Sequence, residues 1–144
     1  MNPTNSPPSR VIFFQVRTPA EKLKMICDTI QSHFDKKEHS LLFVEDAKAQ
    51  EFVNELLWKN PDTSFLPHVV SDDPTKDFVA ITKTKNNVNN ASLAFNLCST
   101  PLITSHPFRI IYEFEDMSNP NKNKLSSLRF DAYKASRFLI ESRA

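Results

Sequence analysis

The sequence predicts an open three-layer α/β sheet, mostly parallel and held in one domain. Two observations carry this. Short continuous apolar runs at 11–16, 41–44 and 108–114 have the composition of strands covered on both faces, and amphipathic helical spacing follows the first two runs. Strand, helix, strand in that order implies a right-handed parallel crossover. At 144 residues the chain can bury a substantial core without metal or disulfide staples.

Residues 1–9 hold three prolines among Asn, Ser and Thr, and read as a flexible tail ahead of a domain over 10–144. The first strand spans Val11, Ile12, Phe13, Phe14 and Val16. Thr18, Pro19 and Glu21 then mark a helix start with a capping box, and the helix runs to about Lys36 with Leu23, Ile26, Cys27, Ile30 and Phe34 on one face. A turn over 37–39 leads to the strand at 41–44. Asp46 is a candidate N-cap for the second helix, where Ala49, Phe52, Val53, Leu56 and Leu57 form the apolar stripe and Lys48, Gln50, Glu51, Asn54 and Glu55 the polar side.

Pro61 closes that helix. The loop over 62–68 carries Phe65 and Leu66 ahead of Pro67 and His68, with no period to account for its apolar side chains. Trp58 and Phe65 read either as a satellite of the core or as a protein-contact patch, since rigid aromatics beside Pro and Leu are typical of interface hot spots. Further strands are expected at 69–70, 78–82 and 92–97, with a polar loop at 83–90 and a connection at 98–106 that has room for a short helix.

The last segment, 119–144, reads as a terminal helix. Leu125, Leu128, Ala132, Ala135 and Leu139 fall at steps of three and four, with Tyr133 off that stripe. Lys122, Lys124, Arg129, Lys134, Arg137 and Arg143 outnumber Asp131 and Glu141 by six to two. Such a run is either a solvated basic face or a pocket for an acidic peptide, in which Lys and Arg pair the carboxylates and rings bound an apolar slot.

Composition excludes several functions. Glycine is absent, so neither a phosphate-binding P-loop nor a dinucleotide fingerprint is present in its usual form. His33, His39, His68 and His106 lack metal-ligand spacing, and no nucleophile elbow is found. Glu113, Glu115 and Asp116 lie at a strand end with no second catalytic group in view, so no enzyme and no cofactor is expected. Eighteen Lys plus Arg against seventeen Asp plus Glu give no general nucleic-acid footprint, which weighs against a direct single-stranded nucleic-acid binder built on Lys83, Lys85 and the terminal basic helix. Cys27 and Cys98 read as reduced thiols of a cytoplasmic protein, and no apolar run approaches a membrane span.

The run LLWKNPDTSFLPH at 56–68 resembles a signature of the chi subunit of bacterial DNA polymerase III, and the run Tyr133, Lys134, Ala135, Arg137 is similar to a pattern near the chi C-terminus. The resemblance implies an α/β fold related to Rossmann-like helicase domains, without a P-loop. It implies a non-catalytic replication subunit that joins the psi subunit of the clamp loader to the acidic C-terminal tail of single-stranded-DNA-binding protein, and so meets DNA indirectly, as a monomer or in a 1:1 heterodimer. Trp58 and Phe65, with Leu66, Pro67 and His68, match the positions used for psi or a helicase partner. Tyr133 and Lys134 match the tail-binding pair, with Lys124, Arg129 and Arg137 around them. Phe130 stands where the family favours arginine, and Arg129 is a partial substitute about 100° away on an ideal helix.

Overall fold

The computed structural model describes residues 9–60, 66–103 and 108–144. Seven strands form one sheet in the order β3-β4-β2-β5-β6-β1-β7. The strands are β1 (Arg10–Val16), β2 (Ser40–Phe43), β3 (Val69–Val70), β4 (Val79–Thr82), β5 (Leu93–Asn96), β6 (Ile110–Asp116) and β7 (Leu139–Arg143), and the helices are α1 (Pro19–Asp35), α2 (Ala47–Lys59) and α3 (Pro120–Ala135). Every strand pairing is parallel, with β1 and β6 in register from Arg10↔Ile110 to Val16↔Asp116. The expected fold class is the one observed. The proposed tail at 1–9 falls outside the described residues except for Ser9.

Alternation assigns the strand side chains to two cores. Ile12, Phe14 and Val16 join Leu42, Ile81, Phe95 and Phe114 beneath α1 and α2, which contribute Ile26, Ile30 and Leu57. On the other face Val11 and Phe13 join Leu41, Phe43, Ala80 and Ala94 beneath Tyr133 and Phe130 of α3, together with Val88, Leu102 and Phe108 from the connecting loops. The third layer is therefore one helix plus two packed loops. Right-handed crossovers explain this division, since β1-α1-β2 and β2-α2-β3 step one way along the sheet and β6-α3-β7 steps the other.

The helix starts follow their capping residues. Thr18 accepts from the Glu21 amide (3.1 Å), Asp46 from Ala49 (2.9 Å) and Asn119 from Lys122 (2.8 Å), and the Glu21 carboxylate reaches the Arg17 amide (2.7 Å), one residue before the cap. Two helix ends use a left-handed residue without glycine. Lys37 (φ 59°) and Arg137 (φ 65°) occupy the position after the C-cap of α1 and α3. The amide two residues past each cap returns to the helix, Glu38 to the His33 carbonyl (2.9 Å) and Phe138 to the Tyr133 carbonyl (3.2 Å), which is the Schellman arrangement.

Four expectations are corrected. The terminal helix stops at Ala135, and Leu139 belongs to edge strand β7, where it is 55% exposed. The buried face of α3 is Ser126, Arg129 and Tyr133 rather than the stripe through Leu125 and Leu128. On α2, Gln50 is buried, bonding to the Ile81 carbonyl and to Asp72 (both 3.1 Å), while Phe52 is 62% exposed. No helix forms in the described part of the 98–106 connection.

Candidate protein-docking surfaces

The first surface lies where the C-terminal end of α2 meets the β3 edge of the sheet. Trp58 is 45% exposed and its ring lies over His68, centroids 3.9 Å apart and planes 32° apart. The His68 ring is held from behind, its Nδ1 on the Leu66 carbonyl at 2.8 Å. Leu66 is buried and fastens the loop, Pro67 is exposed, and Val70 extends the apolar surface along β3. Phe65 lies outside the described residues. The structure thus brings the exposed Trp58 ring onto the buried His68 ring, with exposed Pro67 next to His68 in the chain and Leu66 buried before it.

The second surface is α3, and here the candidate residues divide between interior and exterior. Lys124, Lys134 and Arg137 are exposed. Tyr133 has no exposed surface and Arg129 is buried. Both face Glu113, a fully buried carboxylate on β6. Glu113 accepts from Arg129 Nε (3.0 Å), the Tyr133 hydroxyl (2.7 Å), Asn96 Nδ2 (2.6 Å) and the Phe114 amide (3.3 Å). Burial pushes the Glu113 carboxyl up while Arg129 and the other donors pull it back, and with four donors aimed at it the ionised form is the one the site satisfies. Burial first, then Glu113, pushes the Tyr133 phenol far up, so it stays a donor.

The remaining polar atoms of this cluster hold the loop that follows β5. Arg129 Nη1 donates to the Ser99 carbonyl (3.3 Å) and Nη2 to the Phe114 carbonyl (3.2 Å). The Leu102 amide donates to the Tyr133 hydroxyl (2.7 Å) and Asn96 Nδ2 to the Thr100 carbonyl (2.8 Å). Ser99 in turn donates through its amide (3.2 Å) and its hydroxyl (2.6 Å) to Glu45, just before α2. Arg129 and Tyr133 are therefore supports of the surface, and Lys124, Lys134 and Arg137 are the groups a ligand would meet. The partner of Glu113 was beyond reach in the sequence, because sixteen and twenty residues separate it from Arg129 and Tyr133.

Catalytic alternatives gain nothing. Among the described residues no three His, Cys, Asp or Glu side chains are grouped to hold a metal. Burial pushes the Cys98 thiol to about 11, away from nucleophilic use. The crevice where strand connections diverge, the usual ligand position in open α/β sheets, lies between the ends of β1 and β6. Buried Asp116 stands there at the end of β6, accepting from the Ser118 amide (3.0 Å) and hydroxyl (2.5 Å) and facing Lys22 at 3.6 Å. A carboxylate there opposes a phosphate. Lys83, one of the basic groups considered for nucleic acid, pairs with Asp72.

With this geometry in view, comparison with known families is decisive. Residues 9–141 match the family model described as DNA polymerase III chi subunit, HolC. The chain belongs to that family. No curated protein matches the sequence. Membership places the chain among the accessory subunits of DNA polymerase III. No helix among the described residues is long and apolar enough to cross a membrane.

Proposed function

We propose that this chi-family chain tethers the clamp loader, through its psi subunit, to the acidic C-terminal tail of single-stranded-DNA-binding protein. The observation that carries the reading is the separation of the two surfaces. The Trp58 surface sits beside β3, at one edge of the sheet, on the α1/α2 face; α3 lies over β6 and β1 near the opposite edge, on the other face. Two partners can dock at once without collision. That is what a tether requires.

Each surface has chemistry suited to its partner. Trp58, Pro67 and Val70 offer rigid apolar area to a folded subunit or a docking helix. Lys124, Lys134 and Arg137 offer cations to an acidic, disordered tail, each contributing modestly because it is exposed. Adding the burial of one terminal ring and subtracting ordering costs gives micromolar affinity in order of magnitude, weakened by salt. Weak exchangeable contact lets the replicase move along coated DNA.

The test is fluorescence anisotropy with a labelled peptide that is acidic and ends in phenylalanine, against wild type, Lys124→Ala and Lys134→Ala. Saturable binding that both changes weaken, and that falls with salt, is expected. Absence of binding to folded protein at low salt would overturn the tail assignment.

A further inference from the structure

Phe52 stands on the outer face of α2 and is 62% exposed, more than any other large apolar side chain among the described residues. It lines a hollow of about 450 Å³ with Asp46, Lys48, Ala49, Glu51 and Glu55, so the hollow belongs to one helix and its N-cap. Trp58, the other aromatic of α2, lies about 120° around the helix and about 9 Å along it, and is occupied by His68. The hollow is therefore a separate facet from the Trp58 surface. A single exposed apolar residue is ordinary. The charges around this one are selective: the carboxylates of Asp46, Glu51 and Glu55 stand against the ammonium of Lys48. Glu51 enters none of the ion pairs among the described residues. Glu55 reaches Lys59 at 3.6 Å, with both side chains more than half exposed, so a stronger partner displaces that pair at little cost.

We propose that this face of α2 docks a basic segment of a partner protein through one arginine, whose guanidinium lies on the Phe52 ring while Glu51 and Glu55 share its charge. Charge complementarity selects that occupant, and the exposed ring selects arginine over lysine. A planar, weakly hydrated guanidinium stacks on aromatic faces and forks onto carboxylates at once, whereas the lysine ammonium is a hydrated point charge. Helical angles give the approach. At about 100° per residue, Glu51 and Glu55 lie one turn apart on the same side of Phe52, and Lys48 lies one turn before Phe52. Lys48 repels a cation from the N-terminal end, so the guanidinium enters from the Glu55 end. The site does not depend on the tether reading. Its carboxylates repel an acidic tail, and α2 and α3 lie on opposite faces of the sheet.

The experiment titrates a short peptide carrying Arg-Leu-Arg, and counterparts with lysine or citrulline in place of arginine, into the full chain labelled with nitrogen-15. Amide shifts locate the site and give its affinity. The arginine peptide is expected to move the signals of residues 48–55 saturably, with lysine about threefold weaker and citrulline at least about tenfold weaker. Phe52→Ser should weaken the arginine peptide about fivefold or more, and Phe52→Tyr, which keeps the ring, should bind it as wild type does. Glu51→Gln should weaken it and Lys48→Gln tighten it. All of these positions are exposed, so the variants keep the fold, which circular dichroism checks. Equal binding of the arginine and lysine peptides, untouched by Phe52→Ser, would reduce the site to bare charge attraction and overturn the proposal. So would an absence of saturable shifts at 48–55. The rival occupant is a second copy, whose α3 presents Leu128, 55% exposed, one turn after Lys124. Concentration-dependent association in sedimentation, abolished by Phe52→Ser and by Leu128→Ser alike, would assign the face to that copy and overturn the arginine-segment assignment.

Discussion

The Tyr133 hydroxyl donates to the Glu113 carboxylate at 2.7 Å and at the same time accepts from the Leu102 amide at 2.7 Å. One phenol therefore joins the centre of β6 to α3 and to the loop after β5. The tyrosine that the family resemblance marks as a ligand contact has no surface for a ligand to touch. Its influence on binding must pass through the position of the helix and loop.

Tyr133→Phe accordingly costs folding stability, about 1 to 3 kcal/mol, because the Leu102 amide is left buried without a partner and Glu113 loses a donor. Arg129→Ala costs more, about 3 to 5 kcal/mol, since it strands a fully buried carboxylate. Urea unfolding measures both. Peptide titration at several salt concentrations then separates support from contact: Lys134→Ala flattens the salt dependence, and Tyr133→Phe leaves its slope as in wild type. A changed slope for Tyr133→Phe would return the phenol to the surface.

Trp58→Ala has the opposite profile. The indole is nearly half exposed and lies on the His68 ring, so unfolding free energy should drop by no more than about 1.5 kcal/mol. Docking of the psi subunit should lose about 2 to 4 kcal/mol if Trp58 is the anchor of that surface. Isothermal titration calorimetry reads the loss. Trp58 is also the single tryptophan of the chain, so wild-type emission should shift on psi binding and stay unchanged when only the acidic peptide is added.

The elements were legible where local chemistry decides them. Thr18 with Pro19, Asp46 and the apolar runs at β1, β2 and β6 mark their own boundaries, because caps and two-sided burial need no distant partner. The orientation of α3 was not legible. Its inner face holds Ser126, Arg129 and Tyr133, polar groups made acceptable inside only by Glu113, Asn96 and the loop carbonyls, and periodicity arguments count polar residues as outward. Gln50 on α2 misleads for the same reason, and exposed Phe52 for the converse one. Strand β7 was hidden because the turn before it is made by Arg137 in the left-handed region, where a glycine would have announced the helix end.

That absence of glycine gives a stability prediction. Lys37, with φ 59° just past α1, holds a conformation that costs a residue with a Cβ about 1 to 2 kcal/mol. Lys37→Gly removes this cost and gives back part of it as unfolded-chain entropy. A net gain of about 1 kcal/mol is expected, seen as a higher urea midpoint at unchanged slope. Lys36→Gly one residue earlier, where φ is −89°, should lose stability. Equal effects at the two positions would show that the left-handed geometry is not what matters.

The last prediction concerns acid. Asp72 follows β3 and accepts from Lys83 through both its ammonium and its amide (3.2 Å for the amide), from Gln50 (3.1 Å) and from Thr82 (3.1 Å), tying β4 to α2. The Lys83 ammonium is the largest influence and, against a smaller opposing effect of burial, the carboxyl is held down at about 2. An unfolded aspartate titrates near 4. The folded state therefore binds fewer protons than the unfolded state between these values, and the contribution of Asp72 to stability is complete above about pH 5 and is lost as pH falls from about 4 through 2. The difference in unfolding free energy between wild type and Asp72→Asn should accordingly be largest at neutral pH and shrink toward pH 2.5. Salt should narrow the neutral-pH difference, because the Lys83 side chain is 40% exposed and that of Asp72 30%. A difference that stays constant from pH 7 to 2.5 would mean that the amide and hydroxyl contacts, which asparagine can keep, hold β4 to α2 without the charge.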